Sequence, residues 1–149
     1  MKSSSKICLI GDIVVDITSK NSNRDIKLRL GGIVHAARCL WSLDISFDVG
    51  YFAPAYLDES IVKYLNSLGC FEIFKLGNVI GAPYVFLIEE AKEIGNQGYE
   101  FILRDNIKLE YNQLTFNAIV NENYSDVVLI SGNYDIHRFI NSLKGAIHI

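Results

Sequence analysis

Between Lys6 and Trp41 the chain sets an apolar run, two carboxylates and a glycine pair in an order that few folds accommodate. Ile7 to Ile10 is apolar and ends at Gly11-Asp12, a second apolar stretch carries Asp16, and Gly31-Gly32 opens a helix-like segment. This order predicts a strand, a polar mouth and a helix N-terminus held close together. Such an arrangement suits a polyhydroxylated ligand at the carboxyl end of a sheet strand.

The rest of the chain alternates strand and helix signals. Ile7 to Ile17 reads as one strand continuing past a polar break, and Ile26, Leu28 and Leu30 alternate with Lys27 and Arg29 as a short half-exposed strand. Ile33, Ala36, Ala37, Leu40 and Trp41 recur at helical spacing across Ile33 to Leu43. Ile45 to Phe52 is the next strand, stopped by Pro54. Asp58 is placed to cap a helix presenting Ile61, Tyr64, Leu65 and Leu68, with Gly69 beyond its end. Phe71, Ile73 and Phe74 start another strand, and two more, Gly81 to Glu90 and Tyr99 to Asp105, flank a glycine-containing turn. Asn112 and Asp135 cap two further helices, on either side of the apolar strand Asp126 to Ile130. The expected fold is α/β with a mostly parallel core sheet and an attached β-layer over residues 71–105. With about four core strands available, the edge beyond the last strand is expected to be open. On that ground the chain is expected to be one partial domain, 1–149, of a larger unit.

Composition narrows the function classes. The 149 residues suffice for one domain with a real core, and a net charge of -3 without a Lys/Arg cluster argues against nucleic acid as partner. The first apolar run is interrupted by Asp12 and Asp16, so neither a signal core nor a membrane span is expected. Cys8, Cys39 and Cys70 lack metal-ligand spacing and sit among apolar neighbours, which predicts buried free thiols and a cytoplasmic setting. The three histidines form no ligand set with Cys or carboxylates, so no metal site is expected.

Gly11-Asp12-x-x-x-Asp16, followed by Gly31-Gly32 leading into a helix with a polar residue near its start, resembles the N-terminal signature of the PfkB family of carbohydrate kinases, within the ribokinase-like superfamily. His35 stands nearest the family's Asn position, with a one-residue deletion after Gly32, and Leu43-Asp44 replaces the family's Leu-Gly at the helix end. Asp126-Val-Val-Leu-Ile-Ser-Gly132 is similar to a later family strand, and residues 71–105 correspond to strands of its β-sheet lid. The resemblance implies a ribokinase-like, Rossmann-type sheet with an inserted lid. It also implies phosphoryl transfer to a sugar hydroxyl, with ATP and magnesium required by the complete enzyme.

The implied substrate contacts fall on Asp16, Gly31 and Gly32. A carboxylate accepts hydroxyl hydrogen bonds strongly, and glycines admit a ligand close to free backbone N–H groups. Each alone is equally a turn residue; their order, together with the resemblance, favours sugar or nucleoside binding. Asp12 either lines the site or caps the strand end. His35 is either structural or a substrate contact. Arg104 is either an edge-strand charge or a lid residue that meets a substrate carboxylate. Asn133 is a candidate for substrate or phosphate contact at a strand end.

The family's second signature, with Gly-Ala-Gly-Asp and its catalytic Asp, does not occur in the sequence, and neither does a P-loop. No kinase activity is therefore expected of this chain alone, and no cofactor within it. The leading expectation is the N-terminal substrate-binding half of a sugar kinase, with a homodimer through the lid strands as one outcome. A non-catalytic sugar- or nucleoside-binding or regulatory module is the alternative. A dinucleotide-binding Rossmann unit is disfavoured, because the first strand lacks Gly-x-Gly-x-x-Gly.

Overall fold

Two strands that are buried almost from end to end fix the middle of the molecule: β1 (Ile7–Asp12) and β4 (Phe47–Ala53). Strands covered on both faces belong in a parallel sheet with helices on either side. The computed structural model, which describes residues 6–19, 26–81, 85–89, 98–101, 107–130 and 132–149, shows that arrangement. The large sheet also contains β5 (Ile73–Ile80), β8 (Lys108–Tyr111), β9 (Asp126–Leu129) and β10 (Ala146–His148), in the order β10-β9-β1-β4-β5-β8. Every pairing in it is parallel except that of β8 with β5.

Alternation along β1 divides the core. Cys8 and Ile10 face one side, with Phe52, Leu76, Leu129, and with Phe116, Ile119 and Phe139 from α3 (Gln113–Asn121) and α4 (Ile136–Ile140). Leu9 faces the other, with Val49 and Tyr51, and with Val34, Ala37, Ile61 and Leu65 from α1 (Val34–Ser42) and α2 (Asp58–Ser67). Each helix layer covers one face of the sheet, which supports the α/β expectation.

A second sheet of four strands, in the order β3-β2-β6-β7, comprises β2 (Val15–Ser19), β3 (Ile26–Leu30), β6 (Val85–Glu89) and β7 (Gly98–Phe101). Here β2 pairs parallel with β6, and the two outer pairings are antiparallel. The structure corrects several expectations. Ile7 to Ile17 is not one strand: the chain leaves the large sheet after Asp12 and enters the small one at Val15. The span 71–105 is divided as well, because β5 belongs to the large sheet while β2 and β3 join β6 and β7. The edge of β9 is not open, since β10 pairs with it. Asp58 is the first residue of α2 rather than its cap; its carboxylate holds the Tyr51 hydroxyl at 3.2 Å and the Lys75 ammonium. Cys8 and Cys70 are buried as expected, whereas Cys39 is exposed.

Candidate functional site

The site is built where β1 ends and the chain crosses between sheets. Asp16 is the second residue of β2 and is only 8% exposed. Its carboxylate lies over Gly31, where any Cβ would overlap the carboxylate atoms. The Gly31 N–H donates to the Val14 carbonyl at 2.9 Å, and the Ile33 N–H donates to the Asp12 carbonyl at 3.0 Å. Gly32, at φ 65°, makes the turn between these bonds, and a side chain there would strike the Asp12 carbonyl. The glycine pair is therefore pressed against the carboxyl end of β1, with α1 starting directly after it.

His35 is the second residue of α1, and its Nε2 lies 3.0 Å from Asp16 Oδ2. An ionised carboxylate only accepts, so Nε2 carries the hydrogen and donates it. The His35 side chain is 56% exposed and that of Asp16 is 11% exposed. The imidazole is thus the outer, solvent-facing member of the pair and the carboxylate the inner acceptor.

A second cluster adjoins this one through Asp12, whose carbonyl holds the glycine turn. The Asp12 carboxylate points to the other side, where Oδ2 accepts the Asn133 backbone N–H at 2.9 Å and lies 3.5 Å from its side-chain amide. Gly132 is again a close approach, with a Cβ position 2.6 Å from the Asp12 carboxyl carbon. Asp12, Gly132 and Asn133 therefore meet where β1 and β9 end. Of the residues expected from sequence, Asp16, Gly31, Gly32 and His35 form one contact group. Asp12 and Asn133 form a second, joined to the first by backbone hydrogen bonds. Arg104 lies outside the described residues.

Tyr134 was missed. Its hydroxyl donates to the Ile130 carbonyl at 2.7 Å, and its ring stacks on Phe52 at 4.9 Å, which fixes the loop bearing Asn133. Burial pushes its phenol well above the ordinary value near 10. The signal available in sequence was an aromatic directly after Gly-Asn at a strand end. Clefts among the described residues lie elsewhere. One of about 330 Å³ is lined by Lys75, Gly77, Asn78, Glu110, Tyr111 and Gln113, among others. The Asn78 side-chain oxygen in this region is buried without a hydrogen-bond partner. Another, about 560 Å³, lies between α1 and α2 beside Arg38, Trp41 and Tyr64. Among the described residues, no group of three or more His, Cys, Asp or Glu is placed to hold a metal ion. Nor is any helix among them long and apolar enough to cross a membrane.

No family model matches the sequence, and no curated protein matches it. Solved structures do match. A PfkB family carbohydrate kinase from Listeria grayi is 11% identical with a TM-score of 0.54, over 83% of this chain and 41% of that one. A sugar kinase from Pyrococcus horikoshii, 14% identical with a TM-score of 0.53, is matched over 83% of this chain and 44% of its own. A pyrophosphate-dependent kinase of the ribokinase family, solved with a pyrophosphate analogue and myo-inositol, gives 17% identity and 0.51, over 83% and 39%. The chain thus spans less than half the length of these kinases. With its helix-covered parallel sheet and its second small sheet, the chain has the ribokinase-like fold of the PfkB-type sugar kinases.

Proposed function

We propose that this chain is the N-terminal, substrate-binding part of an ATP-dependent PfkB-family sugar kinase. The observation that carries this reading is the Asp16 carboxylate, largely buried, seated on Gly31 and held by His35 beside a turn of two glycines. Burial of a carboxylate is costly unless its oxygens are satisfied, and one Asp16 oxygen has the His35 N–H. A sugar hydroxyl would satisfy another lone pair with a charge-assisted bond. The absence of side chains at residues 31 and 32 is what lets the Asp16 carboxylate and the Asp12 carbonyl sit so close to this turn. Asp12 and Asn133 shape the adjoining rim.

The chain's own part is to bind and orient the acceptor sugar. Its residues do not fit an ATP–magnesium site: the sequence has no Gly-Ala-Gly-Asp, and no acidic group of metal-binding size occurs among the described residues. The reading therefore expects no phosphoryl transfer from this chain alone. The apolar face of β3 supports a homodimer through the small sheet, because Ile26 and Leu28 are 67% and 68% exposed.

Thermal unfolding with a panel of sugars and nucleosides tests the proposal, because a ligand selective for the native state raises the midpoint by mass action. The expected result is a shift with one sugar class that an Asp16→Asn variant, folded by circular dichroism, loses. Retention of the full shift by that variant would overturn the proposal.

A further inference from the structure

Arg38, Trp41 and Ser42 follow helical spacing along one stripe of α1, and Tyr64, Ser67 and Leu68 repeat that spacing at the end of α2. Buried Val34, Ala37, Ile61 and Leu65 seat both helices on the sheet. The two outer stripes are left facing each other across the cleft of about 560 Å³.

The polar groups of this cleft are unevenly committed. The Ser42 and Ser67 hydroxyls donate back to their own helices, to the Cys39 carbonyl at 2.8 Å and the Tyr64 carbonyl at 2.6 Å. Arg38 donates its Nε–H to the Tyr64 hydroxyl at 2.6 Å, and its guanidinium lies 5.5 Å from the centre of the Tyr64 ring. These two contacts fix a long side chain in the wall of the cleft. Among the described residues, the terminal guanidinium N–H groups and the Tyr64 O–H hydrogen have no acceptor, and Arg38 has no ion-pair partner. Arg38 is also the only charged residue among those described that line the cleft.

An unopposed cation, a phenol donor and an indole that is 57% exposed define a complement. A carboxylate would accept from the guanidinium and the phenol at once, and a bond to the guanidinium is charge-assisted. A flat ring attached to it would lie on the Trp41 face. The helices set the direction of such a ligand. Their C-termini carry partial negative charge that fades within a turn, and neither helix has a basic residue in its last turn. An anion is therefore disfavoured beside Ser42 and Ser67 and belongs at Arg38, about one turn earlier, with its ring towards Trp41. Size points to a small molecule. A cleft of about 560 Å³ is in the range of small-molecule sites. A stable protein interface engages roughly 20–30 residues a side, far more than the seven lining this cleft.

We propose that the cleft between α1 and α2 binds a small aromatic carboxylate, with the carboxylate held by Arg38 and Tyr64 and the ring against Trp41. The site lies at the far end of α1 from His35, so it does not depend on the sugar-binding reading.

Isothermal titration of the full chain with 2-naphthoate, its neutral isostere 2-naphthamide, cyclohexanecarboxylate and the peptide N-acetyl-Ala-Ala-Phe tests this. Trp41 is the only tryptophan, so its indole N–H gives a single NMR resonance that reports where a ligand sits. The expected result is that 2-naphthoate binds about tenfold or more tighter than the amide and the non-aromatic acid, and moves the Trp41 resonance. Its preference over the amide should vanish in Arg38→Met. Tyr64→Phe keeps the ring and removes the phenol donor, so it should lower the preference by itself, which keeps the test decisive if Arg38→Met does not fold. Equal binding of 2-naphthoate and 2-naphthamide, an undiminished preference in the folded variants, or a Trp41 resonance unmoved by bound 2-naphthoate would each overturn the proposal. So would tighter binding of the peptide, which would make the occupant a polypeptide. A Trp41 resonance that shifts with protein concentration alone would overturn it as well, by showing a second copy over the cleft.

Discussion

Gly31 has no room for a side chain, because the atom that alanine would add coincides with the Asp16 carboxylate. A Gly31→Ala variant must move that carboxylate away from His35, and we expect a stability loss of about 1–3 kcal/mol by urea unfolding. Loss of sugar binding in calorimetry should accompany it. At Asp12, replacement by Ala removes the acceptor for the Asn133 N–H and should cost a similar amount, about 1–3 kcal/mol. The thiols supply a third check. Cys70 is pushed up to about 12, chiefly by burial, and burial also raises Cys8, whereas Cys39 is exposed. A thiol reagent at pH 8 should therefore label one cysteine in the native protein and none in Cys39→Ser. The order of the motif, taken with the family resemblance, marked Asp16, Gly31, Gly32 and His35 in the sequence, and the structure brings the four together. The contact between Asp12 and Asn133 was not legible, because it joins the ends of two strands 121 residues apart. Helical spacing placed Trp41 in α1 but does not show that it stands 57% exposed at the cleft between α1 and α2.

Local chemistry decides the elements with differing clarity. The Asn112 side chain accepts the N–H groups of Leu114 and Thr115, a true N-cap, and Asn112→Ala should cost about 1 kcal/mol in chemical denaturation. Asp58 carried the same sequence signal, yet its carboxylate reaches across to Lys75 and Tyr51, and no sequence pattern marks that long-range choice. The strands β8 and β10 have four and three residues, too short for a period-two pattern to stand out. What places β10 is the turn before it. Gly145 has φ 108°, its Cβ position lies 2.5 Å from the Tyr124 carbonyl, and Ala146 then donates to the Ser125 carbonyl at 3.0 Å. A Gly145→Ala variant should lose hydrogen-exchange protection at Ala146 while β9 keeps its own.

At the scale of the whole molecule, the large sheet followed from the buried runs and the strand–helix alternation. The membership of the small sheet did not, because β2 pairs with β6 across an entire layer of intervening chain. Lys6 shows how the amino end of the large sheet is tied together. It reaches Glu122 at 2.7 Å and the buried Asp48 at 3.2 Å, and Asp48 also accepts the Tyr124 hydroxyl. The hydrogen bond to Glu122, with help from Asp48 and against the effect of burial, raises Lys6 above its ordinary 10.5. A cation stabilised in the folded state contributes fully below its unfolded pKa and loses that contribution as pH rises through the folded one. From neutral pH upward, the difference in unfolding midpoint between wild type and Lys6→Met should thus be constant to about pH 10 and shrink above it. The central claim, a sugar site at the junction of the two sheets, is tested most directly by a crystal structure of the chain soaked with the sugar that most raises its unfolding midpoint. The account predicts a ring beside the Gly31–Gly32 turn with a hydroxyl in hydrogen-bond reach of Asp16. A sugar bound in the cleft beside Lys75 and Asn78, with the Asp16 and His35 pair untouched, would contradict it.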